Sequence, residues 1–105
     1  MSGPERYLMV TIGMNYHVLQ GKEQIFEAAF ARVLEAIEAA PGHDTSRLYR
    51  GVGGEGDADY LIVSRWSDEQ AFDTFIASDA FRKVADWGRE NVLAGRPTHT
   101  TYRDG

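Results

Sequence analysis

The side chain that we take as the candidate catalytic residue is Asn15, which follows Met14 late in the first predicted strand. An amide at the mouth of a cleft between a sheet and its helices can hydrogen-bond a substrate carbonyl or a bound oxygen species. The alternative is an asparagine that merely ends the strand, because asparagine is common in turns. The sequence alone leaves both interpretations open.

Aromatic side chains could form the walls of a pocket for a small apolar or aromatic ligand. Any small domain needs the same aromatic stripe for its core, and a tryptophan that ends a strand more often packs against the following helix. Both interpretations can hold, because a pocket in such a small domain is a gap in its core. The candidate substrate-binding residues are Trp66, Phe72, Phe75, Phe81 and Trp87.

The chain has three histidines and no cysteine: His17, His43 and His99. No two of the histidines share a helix at the spacing of metal ligands, so we expect no metal site. The absence of cysteine excludes a disulfide and a thiolate nucleophile. Each histidine is interpreted as a polar residue at a strand end, not as a ligand or a base.

The first two thirds of the chain divide into five segments. Residues 7–18 alternate and predict a strand with apolar residues on both faces, and residues 22–40 predict an amphipathic helix. Residues 43–52 form a weakly patterned second strand, and residues 60–66 form a clear third strand. The glycine-rich loop 51–59 should join these two strands as a hairpin.

The last third predicts helices followed by a closing strand. Ser67 and Gln70 have the spacing of a capping box at a helix start. Ser78 offers a second cap, so a kinked or separate helix should continue toward Val92. Residues 98–103 alternate like a strand. The order is therefore β-α-β-β-α-β, a ferredoxin-like α+β fold with a four-stranded antiparallel sheet and its helices on one face.

Such a sheet leaves one face without helices. Apolar residues on that face need a partner, and an identical sheet is the simplest one. We therefore expect a homodimer through the open sheet face.

Size and composition predict a single folded domain over residues 1–105. Apolar residues make up 43% of the chain and charged residues 26%, as in ordinary globular proteins. A formal net charge of −5 with scattered basic residues argues against a nucleic-acid surface. We find no signal peptide and no apolar run long enough to cross a membrane, so we expect no membrane partner and a cytoplasmic protein.

Four motifs together resemble the antibiotic biosynthesis monooxygenase family over nearly the full length of the chain. They are Met14-Asn15, Pro41-Gly42, residues 66–72 with the sequence WSDEQAF, and residues 78–81 with the sequence SDAF. The resemblance implies a dimeric α+β barrel and oxygenation of electron-rich aromatic substrates without a cofactor. It also implies a kinship with a branch that degrades haem.

In that haem-degrading branch, an asparagine on strand one, a tryptophan on the second helix and a histidine further along form the site. Asn15 aligns with that asparagine if the loop after it is one residue shorter in this chain. Without that gap, Met14 aligns with the asparagine instead. The tryptophan position corresponds to Phe75. The histidine position corresponds to Ala85, which has no lone pair to offer iron.

The resemblance therefore implies a monooxygenase that needs no cofactor and acts on a small aromatic or quinol compound. An acidic polyphenol or quinol would lose a proton, and its carbanion would reduce oxygen directly. The pocket would supply orientation, desolvation and hydrogen bonds to the developing oxyanion, with Asn15 making the last of these. Two alternatives stay open: a haem-binding or haem-degrading relative, and a non-catalytic dimer that binds a small ligand.

Overall fold

The computed structural model describes residues 9–53 and 56–103, which form seven elements. The predicted ferredoxin-like order is confirmed, and the second helical segment is divided into two helices. Tyr7 and Leu8, with which the predicted first strand begins, lie outside the described residues. The elements are β1 (Val10–Val18), α1 (Glu23–Glu38), β2 (His43–Arg50), β3 (Ala58–Trp66), α2 (Glu69–Ile76), α3 (Asp79–Asn91) and β4 (Thr98–Arg103).

The four strands form one antiparallel sheet in the order β2-β3-β1-β4. In this pairing Met14 lies opposite Ile62 on β3 and opposite His99 on β4. The next residue, Asn15, lies opposite Leu61. Since successive residues of a strand point to opposite faces, Met14 and Asn15 belong to different faces of the sheet.

The core fills the space between the helices and one sheet face. Trp66 is only 1% exposed, and its indole N–H donates to the Ser64 hydroxyl at 3.0 Å, so this buried polar group is satisfied. Burying large apolar side chains contributes about 1.5–3 kcal/mol each, which makes this layer the main source of stability. Its other large members are Val10, Ile12, Ile37, Ile62, Phe72 and Phe75.

The turn between α1 and β2 is fastened to the start of α2. Gly42 has a φ of 87°, and a Cβ added there would lie 2.6 Å from the Ala71 Cβ. Glycine is therefore required on both conformational and steric grounds. The Ser67 backbone N–H donates to the Gly42 carbonyl at 2.6 Å.

The start of α2 differs from the predicted capping box by one residue. Asp68 is the N-cap, and its carboxylate accepts from the Ala71 backbone N–H at 2.8 Å. Ser67, the predicted cap, makes the backbone contact to the turn instead. The separate cap predicted at Ser78 is confirmed, because its hydroxyl accepts from the Phe81 N–H at 3.3 Å and α3 begins there.

A polar cluster ties α1 to the edge of the sheet. The Tyr60 hydroxyl donates to the Glu27 carboxylate at 2.5 Å, and Arg50 forms ion pairs with Glu23 and Glu27 at 3.5 and 3.8 Å. Burial and the hydrogen bond with Glu27 raise the pKa of Tyr60 to about 12. None of the described helices is both long and apolar enough to span a membrane.

The sheet face away from the helices carries an apolar patch. A Cβ on Gly13 would lie 3.5 Å from the Tyr102 ring and 3.6 Å from Leu61, so these two side chains flank the glycine. Tyr49 and Tyr102 are 48% and 56% exposed. We refer to Leu61, Val63, Tyr49 and Tyr102 as the open-face patch.

Candidate active site

An apolar cavity of about 270 Å³ lies between the sheet and helices α1 and α3. Its walls come from every element of the described fold except β2, together with the segment between α3 and β4. They are mostly aliphatic and aromatic, which is the usual composition of a small-molecule site. The lining residues are Met14, Tyr16, Phe26, Ala29, Phe30, Val33, Ile62, Ile76, Phe81, Val84, Ala85, Trp87, Gly88, Val92, Leu93, Pro97 and His99.

The size of the cavity sets a limit on the ligand. A cavity of about 150 Å³ lined by apolar residues holds one benzene molecule. A volume of about 270 Å³ is less than twice that size, which suits an aromatic compound of two or three fused rings.

Three cavity-lining side chains carry polar hydrogen-bonding groups: Tyr16 on β1, Trp87 on α3 and His99 on β4. Among the described residues, the Tyr16 hydroxyl makes its one hydrogen bond to the Met14 sulfur, at 3.8 Å, and a thioether is a weak acceptor. This hydroxyl can therefore turn toward a ligand at little cost. Burial raises the pKa of Tyr16 to about 12, so the phenol stays protonated and can donate at neutral pH.

His99 is the only imidazole among the cavity-lining residues. Its ring meets the Phe72 ring edge-on, with centroids 5.3 Å apart, and this contact orients it. Within residues 9–53 and 56–103 its ring nitrogens make no hydrogen bond. Both nitrogens are thus available to a ligand, and the exposed side chain keeps a path to solvent.

One end of the cavity is closed by the segment that follows α3. The Leu19 N–H donates to the Val92 carbonyl at 2.8 Å, and the Ala94 N–H donates to the His17 carbonyl at 2.8 Å. These bonds extend the end of β1 with an antiparallel bridge between Val18 and Leu93. They hold Val92 and Leu93 against the cavity.

The predicted pocket aromatics divide into two layers. Phe81 and Trp87 line the cavity, and Trp87 is also 39% exposed. Trp66, Phe72 and Phe75 are buried behind this wall and do not line it. Phe75 packs on Phe81 with ring centroids 5.2 Å apart, so the second layer supports the first.

Asn15 does not line the cavity. Its side chain is exposed on the open sheet face. Met14, which the alternative alignment puts at the asparagine position, lines the cavity. A catalytic role for Asn15 stays a prediction, and it would require a ligand on the other face of the sheet.

Sequence reasoning did not single out Tyr16, and it interpreted His99 as an ordinary strand-end residue. Tyr16 has the same parity as Met14 on β1, which was a usable signal. His99 gave no such signal, because its face depends on how β4 pairs with β1.

The enclosed part of the cavity is smaller than a haem. The macrocycle is several times larger than benzene, and about 270 Å³ is less than twice the size that benzene needs, so a whole macrocycle would extend beyond the cavity walls. Ala85 offers no ligand to iron, and His99 is the one imidazole among the lining residues.

Solved structures with the same fold define the class of this protein. SnoaB, a cofactor-independent oxygenase from Streptomyces nogalater, superposes with a TM-score of 0.78 at 24% identity, covering 92% of this chain and 93% of that one. A conserved protein from Methanosarcina mazei gives 0.82 at 20% identity, covering 96% and 97%. At these identities the similarity shows a shared ferredoxin-like α+β fold.

The family follows from the sequence comparison. The model of the antibiotic biosynthesis monooxygenase family matches residues 9–87, and the chain belongs to that family.

Two haloarchaeal proteins are also similar to this chain, and both are named "putative heme-binding protein". The Natronomonas pharaonis protein is 37% identical over 89 residues, and the Haloarcula marismortui protein is 34% identical over 90 residues. Each match covers 85% of this chain but only 14% and 13% of the relative. The chain therefore spans a small part of these proteins.

Proposed function

We propose that this protein oxygenates a two- or three-ring phenol or quinol in the cavity, with O2 as oxidant and no bound cofactor. The observation that carries the proposal is an apolar cavity of about 270 Å³ with one imidazole and one phenol on its wall. The fold shared with SnoaB, which is described as a cofactor-independent oxygenase, supports it.

The proposed reaction begins with loss of a proton. His99 accepts the proton of the substrate hydroxyl, and the phenolate passes one electron to O2. The two radicals then combine and form a C–O bond at the ring carbon para to the hydroxyl. The proton held by His99 passes to the outer oxygen and gives a hydroperoxide.

Loss of water completes the reaction. The ring hydrogen at the same carbon leaves as a proton, the O–O bond breaks, and hydroxide takes up that proton. One oxygen atom stays in the substrate as a quinone carbonyl, and the other leaves as water. The substrate gives up four electrons and O2 accepts four, so no external reductant is needed.

The protein's part is to position groups and exclude water. The apolar walls desolvate the phenolate, which makes it a stronger reductant toward O2. Tyr16 donates a hydrogen bond to the oxyanion that forms on the substrate. Phe81 and Trp87 hold the rings in place.

We also propose that the protein forms a homodimer through the open-face patch. Members of this family are typically dimeric. The patch places Leu61, Val63, Tyr49 and Tyr102 on a face that the described helices leave uncovered. Two such faces bury each other's apolar side chains in a C2 arrangement.

The test is oxygen uptake with a panel of two-ring phenols, with and without a ring carboxylate, that includes 1-naphthol, whose expected product is 1,4-naphthoquinone. In His99→Gln we expect kcat/KM to fall about a hundredfold, the usual scale for loss of a general base. Added imidazole should restore part of the rate. No oxygen uptake with any member of the panel would overturn the proposed reaction.

His17→Gln is the matched control, because His17 lies on the open face and pairs with Asp59. It should leave kcat/KM unchanged. If His99→Gln is equally active, or if it loses activity only because it no longer binds the substrate, His99 is not the base.

Haem binding is the second candidate, favoured by the names of the haloarchaeal relatives. Because the enclosed part of the cavity is smaller than the macrocycle, we expect a haem titration followed by absorbance to show no saturable binding. Saturable binding would instead support a haem-binding function and send the search for an iron ligand to the three histidines.

A further inference from the structure

A second depression lies on the outer surface between α1 and α3, directly outside the cavity. Ala29, Val84 and Trp87 line both the cavity and this depression, which we call the outer groove. These three side chains are therefore the wall between the two spaces. Two of them are small, and the third, Trp87, is 39% exposed and so is partly open to solvent.

The charged residues that line the outer groove are both basic: Arg32 on α1 and Lys83 on α3. Within the described ranges neither forms an ion pair. Asp86, three positions after Lys83, is already paired with Arg89 at 3.0 Å. Two positively charged side chains therefore line an apolar groove in a chain whose formal net charge is −5.

This combination points to the kind of ligand that enters. An acidic protein repels anions in general, so a local pair of cations creates an attractive site against that background. The remaining lining residues, Ile25 and Ala28, are apolar and suit an aromatic ring. A ligand that has both rings and a negative charge matches both features.

We propose that the outer groove is the entrance to the cavity and that Arg32 and Lys83 select aromatic ligands carrying a carboxylate. The rings pass over Ala29 and Val84 when Trp87 turns outward, and the carboxylate stays beside the two cations. This inference rests on the proposed function and narrows its substrate to an anionic hydroxylated aromatic compound.

The experiment compares two ligands of nearly equal shape, 2-naphthoate and 2-naphthamide, by isothermal titration calorimetry. The test variant is the double substitution Arg32→Gln/Lys83→Gln. The matched control is Lys22→Gln/Arg82→Gln, which removes the same charge from the N-cap residue of α1 and from α3, at exposed positions outside the cavity and the groove.

The wild-type protein should bind 2-naphthoate more tightly than 2-naphthamide. The test variant should lose about tenfold in affinity for 2-naphthoate, the upper range for two exposed charge contacts, and keep its affinity for 2-naphthamide. The control variant should lose less than about twofold. Added salt should weaken 2-naphthoate binding to the wild type and to the control variant, but not to the test variant.

Three results would overturn the inference: unchanged 2-naphthoate affinity in the test variant, equal loss for both ligands, or binding of neither ligand. Its failure is distinguishable from failure of the proposed reaction. Charge-selective binding without oxygen uptake by the phenol panel would refute the reaction and leave the entrance in place. Oxygen uptake without charge-selective binding would refute the entrance and leave the reaction in place.

Discussion

On the helix-covered side of the sheet, Met14 of β1 lines the cavity and Phe72 of α2 is buried behind it. On the other side of the sheet, Asn15 and Tyr102 are exposed. The two faces are built from the same strands, and a step of one residue along β1 moves a side chain from one to the other. Motif similarity alone therefore cannot assign a site residue here. The strand pairing that decides its face is needed as well.

The largest expected difference between the faces is in stability. Phe72→Ala should lower the free energy of unfolding by about 3–5 kcal/mol, because it empties a site that is 1% exposed. Tyr102→Ala, which removes a ring of similar size from the open face, should cost less than about 1 kcal/mol. Urea denaturation at one low protein concentration measures both. Equal costs would mean that the open face is part of the folding core.

The second comparison tests whether the open face meets a copy of itself. Val63→Arg should weaken dimerisation by about a hundredfold, because each copy would bring an arginine into the same interface. Val52→Arg, the same substitution at a residue that is 99% exposed, should have no effect. Analytical ultracentrifugation measures the association. A monomeric wild type, or an undisturbed Val63→Arg dimer, would refute the proposed interface.

The third comparison concerns the ionisation of Tyr16, which lies on the cavity side of the sheet. Burial raises the pKa of Tyr16 to about 12 from the usual 10, so folding favours the protonated phenol. This contribution to stability is complete below pH 10 and is lost as the pH rises from 10 to 12. Tyr16→Phe should therefore flatten the fall in stability over that window, as denaturation at a series of pH values would show.

Tyrosinate absorbance gives an independent check on the same comparison. Burial raises the pKa of Tyr16 to about 12, so Tyr16→Phe should remove absorbance from the late part of the titration. If it removes absorbance near pH 10 instead, the phenol is in contact with water.

The smallest expected effect is that of Asn15→Ala. Because Asn15 is exposed and points away from the cavity, the substitution should change 2-naphthamide affinity by less than about twofold and stability by about 0.5 kcal/mol or less. Calorimetry and oxygen uptake measure the effect. A tenfold loss of turnover would restore Asn15 as a catalytic residue and move the reaction to the open face.

The cap of α2 illustrates where sequence reasoning stops. Ser67 and Asp68 are neighbouring residues, and either side chain can cap a helix. The structure uses Asp68, because the Ser67 backbone is engaged by the Gly42 carbonyl. That contact joins two segments far apart in the chain, so no local pattern could reveal it.

The candidate site shows the same limit. Phe81 and Trp87 were predicted as pocket residues and line the cavity, because each lies three residues from Val84 on the apolar stripe of α3. Tyr16 and His99 were missed. Their inward direction follows from the pairing of β1 with β3 and β4, which is a long-range feature.

The sequence by itself determined the element order, a cap at Ser78 that allowed either a kinked or a separate helix, and the family to which the chain belongs. These features depend on periodicity, caps and motifs, which act over a few residues. Only the tertiary structure decided which face of the sheet holds the cavity and that His99 lies on its wall. Register decides both, because each strand alternates its side chains and the choice of face is made only when strands pair.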